Sequence, residues 1–285
     1  MTFSDSKRTL LGVFLPVELS ARPGRRLFQL GIEALSFTLV STYLPVTLGF
    51  EEAGLVSLFL IAAALGDRLS LLLEENRRDI WERRVRGWRA NRATAGGILA
   101  LLCGVFAGYA IVAYLLGESR VAGLFGFALR AAALGGETLL ERDFGTFSAV
   151  LAHNAGVFVV IACLSFVYRA YGAMLALTWN ASVWALVITT LALRGGPSAG
   201  LPGFAAVVLA VAALAPHLVL EGLAYVFASL AFLFASKGMT TYSGRDPRLR
   251  RVLVASTMLT LAGCVALLLA AAIEVYLAPS TLSLL

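Results

Sequence analysis

The sequence predicts an all-α polytopic membrane protein, with about seven transmembrane helices. Three observations carry the prediction. Of 285 residues, 59% are hydrophobic and 14% charged, where soluble domains are nearer half apolar and a quarter charged. The mean hydropathy is +0.85. Several apolar runs reach about 20 residues, the length a helix needs to cross a hydrocarbon core of about 30 Å. A β-barrel would instead show short alternating strands.

The elements follow in chain order. Residues 1–26 carry Lys7, Arg8, Arg22, Arg25 and Arg26, with an apolar stretch Leu10–Val17 too short to span and suited to the membrane surface. No cleavable signal peptide is evident. Helix one covers about Leu27 to Phe50 and contains Glu33; Glu51 and Glu52 form a turn. Helix two runs from Ala53 to about Leu73 and meets Asp67 and Arg68 in its last turns. Residues 74–93 are strongly charged, and Trp81, Val85 and Trp88 fall on one helical stripe. That pattern predicts a basic amphipathic helix on the cytoplasmic surface, with Trp81 and Trp88 at headgroup level and Arg84 and Arg86 towards anionic lipid.

Helix three covers about Ala95 to Gly117; its Gly104 and Gly108 form a small-xxx-small face that would permit a homodimer. Residues 118–145 are too polar to span simply and read as an outer amphipathic or re-entrant segment. Helix four (about Thr146 to Tyr168) and helix five (to about Leu193) are joined by a very short turn at Arg169–Gly172. The breakers of Arg194–Gly203 mark a loop. The sixth apolar run, about Phe204 to Ala235, would reach roughly 50 Å, so it must tilt, kink at Pro216 or break. Lys237 to Arg251 reads as a basic loop, and helix seven runs about Val252 to Leu277 before Pro279. The domain division expected is 1–93, with two membrane helices and the surface helix, and 94–285, the membrane core. With the N-terminus inside, nineteen of the 23 Lys and Arg fall on inner segments and four on outer ones, as the positive-inside rule requires. That bias also accounts for the net charge of +6, so no nucleic-acid partner is inferred; the partner implied is the bilayer, in a multi-pass protein of the cell membrane.

An ionisable residue at bilayer depth is costly and marks a functional-site hypothesis. Pro216, His217 and Glu221 stand in the middle of the sixth run, and four residues place His217 and Glu221 on one helix face. Counting 1.5 Å per residue puts Asn154 and Asn180 at similar depth on helices four and five. A mid-membrane cluster of Asn154, Asn180, Pro216, His217 and Glu221 is therefore predicted, with Glu33 nearer the inner side and Glu274 nearer the outer. Such a cluster serves either as interhelical glue or as a proton, ion or substrate site. No HExxH, GxSxG or Walker A sequence is present. Two histidines and three isolated cysteines (Cys103, Cys163 and Cys264, read as small buried hydrophobes) do not make a metal site. No catalytic residue, metal or cofactor is expected.

Residues 140–280 resemble the stage II sporulation protein M family of integral membrane proteins. The resemblance rests on Asn154, Gly172, Asn180, Pro216-His217 with Glu221, and Ile273-Glu274 with Pro279. Ala181 and Leu218 stand where that family has glycine. It implies a non-enzymatic protein of the cell envelope, whose namesake works with a peptidoglycan-degrading partner in membrane remodelling, and a distant likeness to permease subunits of ABC-type exporters. Two functions are thus expected: scaffolding or remodelling membrane through protein partners in the envelope, or a permease or channel-like path through His217 and Glu221.

Overall fold

A computed structural model of the chain describes residues 23–128, 130, 144–197 and 200–277. The surface stretch Leu10–Val17, most of the outer segment beyond residue 130, and Pro279 lie outside the described residues. The chain is an all-α multi-pass membrane protein: among the described residues six helices are long and apolar enough to cross a membrane. They are α1 (Pro23–Thr47), α2 (Ala53–Trp81), α3 (Gly87–Leu116), α5 (Phe144–Gly195), α6 (Gly203–Thr241) and α7 (Pro247–Tyr276), with the short α4 (Glu118–Leu124) between α3 and α5.

Predicted helices four and five form the single element α5, whose helical geometry breaks at Arg169 (φ 55°, ψ −132°). The break is a reversal. Phe147 stacks on Tyr276 at one end of the bundle, and Ile188 and Ala192 pack on Ala206 and Ala210 at that same end. Arg169, between them, donates to Thr240 at the other. The turn is tight enough that a Cβ on Gly172 would lie 2.2 Å from the Leu164 carbonyl oxygen, so only glycine fits there. Each limb has about 25 residues and is long enough to cross, so the six described helices make seven crossings.

The basic residues gather at the end of the bundle where α5 reverses, here called inner. Arg26 pairs with Glu75, Lys237 lies 3.5 Å from Glu74, and Arg248 stacks over Trp81. At the outer end Arg194 pairs with Glu118 and holds that carboxyl below its ordinary range by hydrogen bonding and charge.

One apolar core unites the helices. Leu30 of α1, Leu58 and Leu65 of α2, Ile98 of α3, Ala173 of α5 and Tyr225 of α6 are all shut from solvent within it. It runs across residues 93 and 94. Large side chains on the outside, among them Phe28, Val40, Leu115 and Phe204, give the apolar girdle hydrocarbon requires. Cys103, Cys163 and Cys264 also face outwards. They were expected inside the bundle, but lipid is as apolar as a core and a small hydrophobe gains nothing by turning inward.

Three further expectations change. The amphipathic surface helix over 74–93 does not form. α2 carries on to Trp81, the N–H groups of Glu82 and Arg83 both bond to the Arg78 carbonyl, and Arg84 takes φ 55° before α3 starts after Arg86. The stretch closes a hairpin, because α3 must return to pack on α1, and Asn76 clamps it by donating to Asn91 (3.1 Å) and Thr94 (3.0 Å). Trp81 lies edge-on to Tyr242, while Trp88 is exposed beside Arg92. The basic 237–251 loop shrinks to a turn: α6 continues to Thr241 and α7 begins at Pro247, where Asp246 caps the Arg248 N–H at 2.8 Å. The Gly104/Gly108 face, expected to permit a homodimer, is occupied by α1 of the same chain, with the Gly31 oxygen 2.3 Å from where a Gly104 Cβ would stand.

Of the outer segment before α5, only its start, through residue 128 with residue 130, is described. After α4 the chain buries Phe125 and Phe127 among the helices; Phe125 is edge-on to Tyr109 (6.0 Å) and Phe127 contacts Trp179 (4.9 Å). Tyr109 is fixed in turn by Ser57 at 2.8 Å. Phe125→Ala is therefore expected to destabilise the protein by about 3 kcal/mol, read as a shift in the thermal melt in detergent.

Candidate functional site

α6 runs unbroken through Pro216, whose missing N–H leaves the carbonyl one turn earlier without its helical donor. Pro216 faces outward, and His217 and Glu221, one turn apart, both face inward. The third member of the site comes from α7. Side chains on a helix lean towards its N-terminus, and α6 and α7 are antiparallel. Glu221 therefore leans to the outer side and Glu274 to the inner, so they meet although Glu274 is only two residues from the end of α7. One ligand-type atom from each of His217, Glu221 and Glu274 lies within 4.8 Å of the others.

The surrounding groups are partly satisfied. Tyr225, one turn inward of Glu221, donates to its Oε1 at 2.6 Å. The Tyr225 ring stacks on Trp184 of α5, centroids 5.9 Å apart. Asn154, on the first limb of α5, approaches Glu274, yet its Nδ2 lacks a hydrogen bond of good geometry, as does His217 Nδ1. His217 and Glu221 are 7% and 6% exposed. Two carboxylates, an imidazole and an amide with spare hydrogen-bonding capacity thus converge, Glu274 half-buried and the others buried.

Of the predicted cluster, Asn154, His217 and Glu221 come together. Asn180 does not join them. It donates to the Ala176 carbonyl of its own helix at 2.8 Å. The Trp184–Tyr225 stack sets the register of the antiparallel pair; Asn180 is one turn inward of Trp184 and Glu221 one turn outward of Tyr225, an axial offset of roughly 11 Å. Glu274, placed apart by its position near a helix end, takes the vacant role. The donor set His217, Glu221 and Glu274 also suits a cation, which the expectation of no metal ligands did not assemble.

Glu33 has a different setting. It faces Arg68, with Nε at 2.9 Å and a second nitrogen at 3.2 Å from the other carboxylate oxygen, both side chains about nine-tenths buried. Gln29 adds a donor at 3.3 Å. This is a buried ion pair joining α1 to α2. No family model, curated protein or solved structure matches the chain.

Proposed function

We propose that the protein is a non-enzymatic, permease-like membrane protein whose His217/Glu221/Glu274 site takes up and releases a proton or a small cation. The observation that carries this reading is the convergence of two carboxylates and an imidazole within 4.8 Å, His217 and Glu221 buried on α6 and Glu274 half-buried on α7. Two carboxylates so close at bilayer depth demand neutralisation by a proton or a bound cation. A pair that must be neutralised can exchange one neutralising ion for another. Asn154 and Tyr225 would hold the carboxylates in place while the exchange occurs.

The experiment is flux into proteoliposomes, with a proton gradient in one series and sodium, potassium or a divalent cation in others. Wild type is expected to dissipate at least one gradient, and Glu221→Gln and Glu274→Gln to lower that flux at least about tenfold while keeping the wild-type melting profile. Wild-type flux no greater than that of protein-free vesicles in every series overturns the reading.

Scaffolding in the cell envelope through partner proteins is the second reading. It is favoured by the Trp184–Tyr225 stack, which ties α5 to α6 as structural glue would, and by the resemblance to the stage II sporulation protein M family. Under it, Glu221→Gln lowers the melting temperature and no variant changes flux.

A further inference from the structure

At the inner end a cavity of about 1230 Å³ opens between the hairpin of α2 and α3, the α5 reversal, and the α6–α7 turn. Six cations line it: Arg77, Arg84, Arg169, Lys237, Arg248 and Arg251. Asp246 is the carboxylate of the lining, and it is spent on the α7 cap. Glu74, just outside, takes Arg77 at 2.7 Å and Lys237 at 3.5 Å. Among the described residues, Arg84, Arg248 and Arg251 have no carboxylate partner. The cavity thus holds a surplus of positive charge beyond what its own acids balance.

Its far wall is apolar. Leu73, Leu233 and Phe234 line it on the membrane side of Lys237, and Trp81 and Tyr242 pair edge-on within the lining. Interfacial aromatics mark the headgroup level of a bilayer. The cavity therefore places cations at the headgroup layer and hydrocarbon walls directly beneath. A free phosphate would use the cations but not the walls, and a neutral lipid the walls but not the cations.

The backbone adds an independent sign. Among the described residues, two non-glycine residues have positive φ, Arg84 and Arg169, both at 55°. Both line this cavity. Such backbones cost energy and concentrate at binding sites, where the fold holds a side chain in a set direction. Here each carries a guanidinium, the group best matched to phosphate oxygens.

We infer that this cavity binds the headgroup of an anionic phospholipid of the inner leaflet, the arginines gripping the phosphate and Leu73, Leu233 and Phe234 receiving the first methylenes. The inference does not depend on the site around Glu221. It is tested on the full chain in detergent by quenching of tryptophan fluorescence with brominated phosphatidylglycerol, and with brominated phosphatidylcholine as the neutral counterpart. Phosphatidylglycerol is expected to bind at least tenfold more tightly. Arg84→Gln with Arg251→Gln is expected to weaken it roughly tenfold, and Arg120→Gln at the outer end to leave it unchanged. Both arginines are exposed, so the variant should fold, which its melting profile checks. Equal binding of the two lipids, or an unaffected double variant, overturns the inference. So does glycerol 3-phosphate competing as well as the intact lipid, since the site would then serve a soluble phosphate.

Discussion

Replacing Glu33 with alanine is expected to destabilise the protein by about 3 to 5 kcal/mol, because it removes the carboxylate that faces the Arg68 guanidinium in a buried setting. The pair joins α1 to α2 through a 2.9 Å contact between side chains that are 10% and 11% exposed. In hydrocarbon, polar groups must be satisfied inside the bundle, so the loss falls on folding. Arg68→Ala should cost a similar amount, since Glu33 then faces the core with Gln29 as a weaker, neutral donor. The double replacement Glu33→Leu with Arg68→Met removes both charges at similar volume and should stay within about 1 kcal/mol of wild type. Unfolding of all four proteins in mixed micelles checks this. A Glu33→Ala protein as stable as wild type would show that the pair adds nothing.

Much of the architecture is legible in the sequence because hydrocarbon imposes one rule on every element. Length and apolarity give the crossings, and the Arg and Lys bias separates the basic end where Arg26, Lys237 and Arg248 meet from the end with Arg194. What the sequence does not carry is register. Counting residues gives depth along a helix only if its end lies at the membrane boundary. α6 ends at Thr241, level with the α5 reversal where Arg169 donates to Thr240, so Glu221 stands about five to six turns from that end and Asn180 about three. That is why Asn180 drops out of the site. Glu274 enters it for a reason visible only in three dimensions, the opposed lean of side chains on antiparallel helices. The charged stretch 74–93 misleads differently. It has helical periodicity and no breaker before Gly87, yet tertiary packing bends it at Arg84, a residue with no intrinsic preference for positive φ.

A pair of glycine replacements separates packing from propensity in one measurement. Gly104→Ala is expected to destabilise the protein by about 1 to 3 kcal/mol, because the new Cβ would sit 2.3 Å from the Gly31 carbonyl oxygen and 2.8 Å from the Ala34 Cβ. Neither can swing aside: one is backbone and the other is fixed to it, so α1 must move off α3 as a body. That shift also loosens Thr38, which packs where a Gly108 Cβ would stand. Gly104→Leu extends the clash and is expected to prevent assembly of α1 on α3. Gly156→Ala, on the first limb of α5, meets nothing within 4 Å. There the gain in helix propensity, up to about 1 kcal/mol, is unopposed, so the change should be neutral or stabilising. Equal effects at both positions would mean that α3 does not approach α1 through this face. A Gly104 protein that loses stability while its oligomeric state stays constant would place the small-residue stripe inside one chain.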